Sequence, residues 1–334
     1  MTISDRLALG LVALALVAAP AGAATLKIAT VSPDGSAWME VLRASADEIT
    51  ERTDGRVDFK FYPGGVMGDD KSVLRKIRFG QLHGAVLTVG GLVQTYADIQ
   101  LYGLPMLFRG YDEVDYVRER LDPVLQEGLE EAGYVSFGFA EVGFAHAMSK
   151  RPVSSLDDVQ AQKVWTPDGD PGSARALESF EVTPVPLPIS DVLSGLQTGM
   201  INGVAVPPVA AIALQWHTQL DYVLDLPFLY VYGLLAMAEG PFERLDEADR
   251  VVVREVMGDA VDEVNARARV DHADAMDALL GQGLEKVSPG EDAVREWRAH
   301  ARRARRDLVE DGLVSQELLD AVNQLLEDYR AGLD

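Results

Sequence analysis

Residues 163–208 read KVWTPDGDPGSARALESFEVTPVPLPISDVLSGLQTGMINGVAVPP. A short strand is expected at Lys163–Thr166, followed by Asp168-Gly169-Asp170 as a solvated turn just N-terminal to a helix. Two carboxylates in one loop also offer the clustered oxygens that hard cations prefer, so a bound cation stands as the alternative reading of that turn.

Outward from this segment, the chain alternates strands and helices. Toward the N-terminus, ATLKIATV (24–31) is a β-rich run, and an amphipathic helix is expected over about 36–52, with Trp38, Val41, Leu42 and Ile49 at helical spacing. RVDFKFY (56–62) alternates in period two and ends at Pro63-Gly64-Gly65. A short helix follows with Asp69 and Asp70 at its start and Arg75, Lys76 and Arg78 toward its end, charges that suit the helix dipole. Strands are expected at 82–89 and 134–144 with a helix over 111–132 between them. Leu226–Ala238 is apolar enough to be a fully buried strand, and Asp246 caps a long helix reaching about Leu280. Helices over 291–310 and 315–330 finish the chain. The alternation argues for a mainly parallel sheet with helices on both faces.

The first 23 residues have the layout of an export signal: a basic Arg6, an apolar run and the small-residue site Ala21-Gly22-Ala23. The apolar run, roughly thirteen residues, falls short of the about twenty that a spanning helix needs. The mature protein is therefore expected to start at Ala24, in the periplasm. The chain holds no cysteine, so neither disulfides nor a lipid-modified thiol are available to it. At 334 residues two lobes are expected rather than one domain: 24–147 with about 236–272, and 148–235 with about 273–334. A net charge of −23 opposes binding to nucleic acid or to an anionic membrane surface. Capturing an anion would take a local positive grip.

Three further segments carry a resemblance, TDGRVDFKFYPGGVMGDD (53–70), LPMLFRGYDEV (104–114) and GFAHAMSKRPVSSLDDV (143–159), together with 163–208 and the Leu-Gln-Thr-Gly plus Asn-Gly pattern within it at 196–203. Together they resemble the DctP-type solute-binding proteins of TRAP (tripartite ATP-independent periplasmic) transporters, over nearly the whole mature chain. The resemblance implies an α/β protein of two lobes joined by crossing strands and a long helix. It implies a ligand buried as the lobes close, and delivery to a TRAP membrane permease.

The same resemblance makes three departures visible. Where the family carries the arginine of Lys-x-Arg-x-Pro that clamps a carboxylate, this chain has Trp165; a second arginine aligns with Ala145, and an asparagine with Val206. Three polar grips replaced by apolar side chains imply a neutral or largely hydrophobic ligand, since a buried carboxylate without a partner costs several kcal/mol. The expected lining is Thr88, Phe144, Ala145, Trp165, Pro167, Asp168, Ile189, Val206, Pro207 and Phe228. A hydrophobic cleft also resembles the branch of the family associated with a periplasmic tetratricopeptide-repeat partner. The alternative within the class is an organic acid held by other polar groups, or through a cation at Asp168 and Asp170.

No Gly-x-Ser-x-Gly elbow, His-Glu-x-x-His helix or phosphate loop is present, so neither an enzyme nor a cofactor is expected; an exported hydrolase is the reading from another class. ARRARR (301–306) is a basic run, expected to form a salt-bridged helix face, with docking to the membrane subunits as its other reading.

Overall fold

The computed structural model describes residues 23–332; the export signal expected at 1–23 lies, but for its last residue, outside the described residues. Strand β1 (Ala24–Thr30) leads to α1 (Ala37–Arg52), whose start is fixed by Ser36, the Oγ of which accepts the Met39 N–H. Then come β2 (Val57–Tyr62), α2 (Asp70–Arg78), β3 (Gly84–Thr88), a single turn α3 (Val89–Leu92) and α4 (Tyr111–Glu131). The stretch expected as one strand at 134–144 is two, β4 (Tyr134–Ser136) and β5 (Ala140–Ser149). Gly138, at φ +126°, breaks the run between them.

The second lobe opens with α5 (Leu156–Gln160), started by a capping box at Ser155 and Asp158, and β6 (Val164–Pro167). It continues through α6 (Pro171–Glu178), β7 (Pro184–Leu187), α7 (Val192–Thr198), β8 (Gly203–Val206) and α8 (Pro208–Ala213). The 17-residue strand β9 (Tyr222–Ala238) then runs back into the first lobe. After α9 (Glu239–Glu243), helix α10 (Glu247–Gly281) covers 35 residues, about 52 Å at about 1.5 Å per residue. The chain ends with β10 (Glu285–Val287), α11 (Glu291–Glu310) and α12 (Gln316–Ala331).

One sheet joins everything in the order β2-β1-β3-β9-β5-β8-β6-β7, with β4 and β10 also pairing with β9. The expectation of a mainly parallel sheet holds only away from the centre. β1 pairs in parallel with β2 and β3, and β6 with β7 and β8, whereas β9 and β5 run antiparallel to each other and to β3 and β8. The reason is geometric: strands that carry the chain out of one lobe and back must point in opposite directions.

Each lobe buries apolar side chains on both faces of its part of the sheet. In the first, Tyr102, Leu125, Phe139 and Tyr232 fill one face, and Ile28, Met39, Phe59 and Val256 the other. In the second, Val204, Leu196 and Trp216 oppose Val164, Phe180 and Trp297 across the sheet. Helix α10 serves both lobes, with Val253 and Met257 in a first-lobe core and Leu279 in a second-lobe core. Residues 273–334 do not act as one block. Leu319, Val322 and Leu326 of α12 join the first-lobe core, because their i, i+3, i+7 stripe faces α4 rather than the second lobe.

Candidate functional site

The parallel strands of both lobes point their C-terminal ends at one cavity of about 470 Å³. Thr30, Thr88, Pro167 and Val206, the last residues of β1, β3, β6 and β8, all line it. A crevice outside the carboxyl ends of strands is where open α/β sheets place their ligands. The crossing strand β9 adds Phe228 to Gly233 as a floor. The volume falls within the about 300–1,000 Å³ usual for small-molecule sites.

The two lobes touch at the cavity's edge. A Cβ at Gly90 would lie 2.7 Å from the Asp170 carboxylate, and one at Gly172 would overlap the Gln100 side-chain oxygen. Gln100 is held by a hydrogen bond from its amide to the Leu313 carbonyl, which resists its swinging away. Larger residues at 90 and 172 would therefore prop the lobes apart.

Among the described residues, no Lys, Arg or His lines the cavity. Its charged members are Glu141, Asp170 and Asp271. Glu141 is 1% exposed, and both of its oxygens accept from Arg269, at 3.1 and 3.2 Å. The Tyr230 hydroxyl donates to Glu141 at 2.9 Å and accepts from Arg118 at 3.0 Å. Burial first, and then the neighbouring carboxylate, hold the Tyr230 phenol protonated, far above its ordinary range. Asp170 caps α6, accepting from the Ser173 N–H at 3.0 Å and from the Ser173 hydroxyl at 2.6 Å. Glu141 and Asp170 thus have hydrogen bonds supplied from within the protein, and Asp271 is exposed to solvent.

Beside the cavity, Asp70 accepts from the Thr88 hydroxyl at 2.8 Å. Burial, aided by the charges of Asp69 and Asp170 and opposed by the Thr88 hydrogen bond, pushes its carboxyl up to about 6.

Of the residues expected to line the site, Thr88, Trp165, Pro167, Ile189, Val206, Pro207 and Phe228 do so. Trp165 is 8% exposed, stands edge-on to Trp216 at 5.0 Å between ring centroids, and donates its indole N–H to the Leu187 carbonyl at 2.9 Å. With its donor spent, the ring offers the cavity only apolar surface.

Phe144, Ala145 and Asp168 do not line the cavity. Phe144 packs into the first-lobe core against Tyr111 and Tyr230, at 4.9 and 5.6 Å. Ala145 is fully buried in the middle of β5, and Asp168 is exposed in the turn after β6. The cause for the β5 pair is a register shift between Glu141 and Gly143, with Gly143 at φ +110°, which resets which side chains face the cleft. Glu141 and Val142 line it instead. The expectation for Asp168 fails because the helix is capped by its neighbour Asp170.

Trp38, Gln100, Tyr230 and Tyr232 also line the cavity and were not foreseen as site residues. Trp38 carried a signal, a large aromatic in the first turn of a helix following β1. The two tyrosines did not, since LPFLYVYGLLAMA reads as core throughout.

Residues 28–311 match the family model of bacterial extracellular solute-binding protein, family 7, known as DctP. The chain belongs to this family. Among relatives, it is 20% identical over 304 residues to a sialic acid-binding periplasmic protein of Vibrio cholerae, covering 87% of this chain and 91% of that one. It is 23% identical to the C4-dicarboxylate-binding periplasmic protein of Rhodobacter capsulatus, covering 72% and 73%. Among solved structures, a TRAP periplasmic solute-binding protein from Haemophilus influenzae with bound L-gulonate superposes with a TM-score of 0.83 at 15% identity, covering 90% of this chain and 99% of that one. One from Sulfitobacter with bound β-D-galacturonate gives 0.82 at 19%, covering 91% and 99%. This family 7 protein is thus a bacterial extracellular solute-binding protein, with the two-lobed α/β fold of the TRAP solute-binding structures. Family members are periplasmic binding proteins rather than enzymes, and no helix among the described residues is long and apolar enough to cross a membrane.

Proposed function

We propose that this TRAP solute-binding protein captures one small, uncharged and largely apolar ligand between its lobes and delivers it to a membrane permease. The observation that carries the reading is that, among the described residues, no Lys, Arg or His lines the cavity. A carboxylate brought there would lose water without gaining a cation and would meet Glu141 and Asp170, a cost of several kcal/mol. An apolar ligand burying about 200 Å² of its surface would gain about 5 kcal/mol instead. The relatives named above bind acids according to their names, so they lend this ligand class no support; it rests on the lining alone. Free residence in the periplasm after removal of residues 1–23, and a tetratricopeptide-repeat partner, belong to the same reading.

Closure needs no separate motor. A ligand touching both lobes stabilises the closed form in proportion to how much better it binds there. Trp165 and Val206 on one side, Trp38 and Leu104 on the other, and Tyr232 below supply that two-sided contact.

Native mass spectrometry of the purified protein tests this reading. A co-purified apolar molecule is expected, and Trp165→Ala should weaken its rebinding by roughly tenfold or more, the loss of one aromatic anchor. Tight binding of a dicarboxylate or a sugar acid by the unaltered protein would overturn the reading. Genes beside this one test the partners: a permease supports delivery, and a repeat-protein gene supports the third component.

A further inference from the structure

The basic run 301–306 does not form the salt-bridged face expected of it. Among the described residues Arg302, Arg303, Arg305 and Arg306 make no ion pair. Two of them help to build a second, smaller cavity of about 190 Å³. Arg298, Arg302 and Arg305 stand at i, i+4 and i+7 on α11, so they share one face. They meet Arg330 of α12 and Arg109 of the loop before α4, and the lining holds one carboxylate, Glu327.

Five arginines against one glutamate is an unusual concentration in a chain of net charge −23. Among the described residues only Arg330 of the five is ion-paired, to Glu113, through contacts of 2.8 Å to each oxygen. Arg305 reaches a backbone carbonyl, that of Met106, at 3.4 Å. The crowding has a cost: burial, and then repulsion from Arg302, Arg330 and Arg306, lowers Arg305 to about 10, and Arg298 is lowered by burial and by Arg109, Arg330 and Arg302. Strongly perturbed groups gathered in one pocket are a mark of functional sites.

We propose that this pocket is an anion site, distinct from the cleft, that takes a small divalent oxyanion of the size of phosphate. The volume corresponds to about six water molecules at about 30 Å³ each, enough for such an ion with part of its shell. Planar guanidinium groups present paired N–H donors that match oxyanion edges. Elsewhere the acidic surface repels anions, so this pocket is the local positive grip that the overall charge demands. The site also ties the lobes together. Helix α11 packs on α5 and α6, α12 packs on α4, and the segment 104–109 borders both cavities, with Leu104 and Pro105 facing the cleft and Met106–Arg109 the pocket.

Calorimetry and thermal melting of the mature protein, with sodium phosphate or sodium succinate at constant ionic strength set by chloride, test the proposal. Saturable binding of phosphate is expected, together with a rise in melting temperature. Arg302→Gln, an exposed position, should weaken that binding by about tenfold or more. In phosphate-free buffer the same variant should melt no lower than the unaltered protein, since a repulsive charge is gone; a merely structural arginine would lower it. Phosphate alone binding assigns a tetrahedral oxyanion, and both binding assigns any small dianion. Absence of saturable heat with either anion, or unchanged affinity in both Arg302→Gln and Arg298→Gln, would overturn the site. So would a response that survives Arg302→Gln but disappears in Trp165→Ala, because the anion would then be in the cleft.

Discussion

The two cavities lie back to back and treat charge in opposite ways. The charged groups of the mostly apolar cleft are acids, and two of the three are answered from within the protein: buried Glu141 by Arg269 and Tyr230, and half-buried Asp170 by the start of its own helix. The smaller pocket is lined by bases, and four of its five arginines have no ion-pair partner among the described residues. The wall of the first is therefore electrically quiet, and that of the second is unfinished. The contrast teaches that the charge a site offers depends on where each group's hydrogen bonds already go, more than on which residues line it.

Breaking that contrast on the cleft side should have the largest effect. Arg269→Ala leaves Glu141 buried without its cation and is expected to lower unfolding free energy by about 3–5 kcal/mol in urea titration. A loss below about 1 kcal/mol would mean that Glu141 is not neutralised as described, and the quiet wall would go with it. Asp70 tests the rim. Its folded carboxyl is raised to about 6 from 3.8, so between those values the folded protein holds more protons than the unfolded chain. Stability should accordingly fall as pH rises from about 4 to about 6. Asp70→Asn should lack that fall and gain up to about 3 kcal/mol at pH 7 relative to the unaltered protein, less whatever its Thr88 hydrogen bond supplies. Equal pH slopes in the two proteins would show that the rim does not resist charge. The smallest effect is expected at Arg306, exposed and outside the pocket lining. Arg306→Ala should change stability by no more than about 0.5 kcal/mol and leave the phosphate response intact.

Periodicity made most of the outer elements legible, because helix caps such as Ser36 and Asp69 and strands such as 57–62 are local events. The direction of the central strands was not, since antiparallel pairing of β5 with β9 joins residues about 80 apart in the chain and leaves no local mark. Nor was the packing of α12 against the first lobe, which depends on where the sheet delivers the chain. At the cavity, five residues expected from the segment 163–208 do line it: Trp165 and Pro167 of β6, Val206 of β8, and Ile189 and Pro207 just beyond strands. Phe144 and Ala145 failed because a register shift in β5 changes facing without changing composition. The arginine pocket was half visible. ARRARR announced the charge, but only the fold brings Arg109 and Arg330 to it.

The strand β9 spans about 55 Å, at about 3.3 Å per residue, and is a member of both lobes at once. Its partner β5 loses register three times, between Glu141 and Gly143, between Ala145 and His146, and between His146 and Met148, and Pro227 sits opposite His146 with no N–H to give. The connection is thus a leaf spring thinned at one place rather than a pin in a socket. The thinned stretch, around 141–148 and 227, is where amide hydrogens should exchange fastest within an otherwise protected ladder.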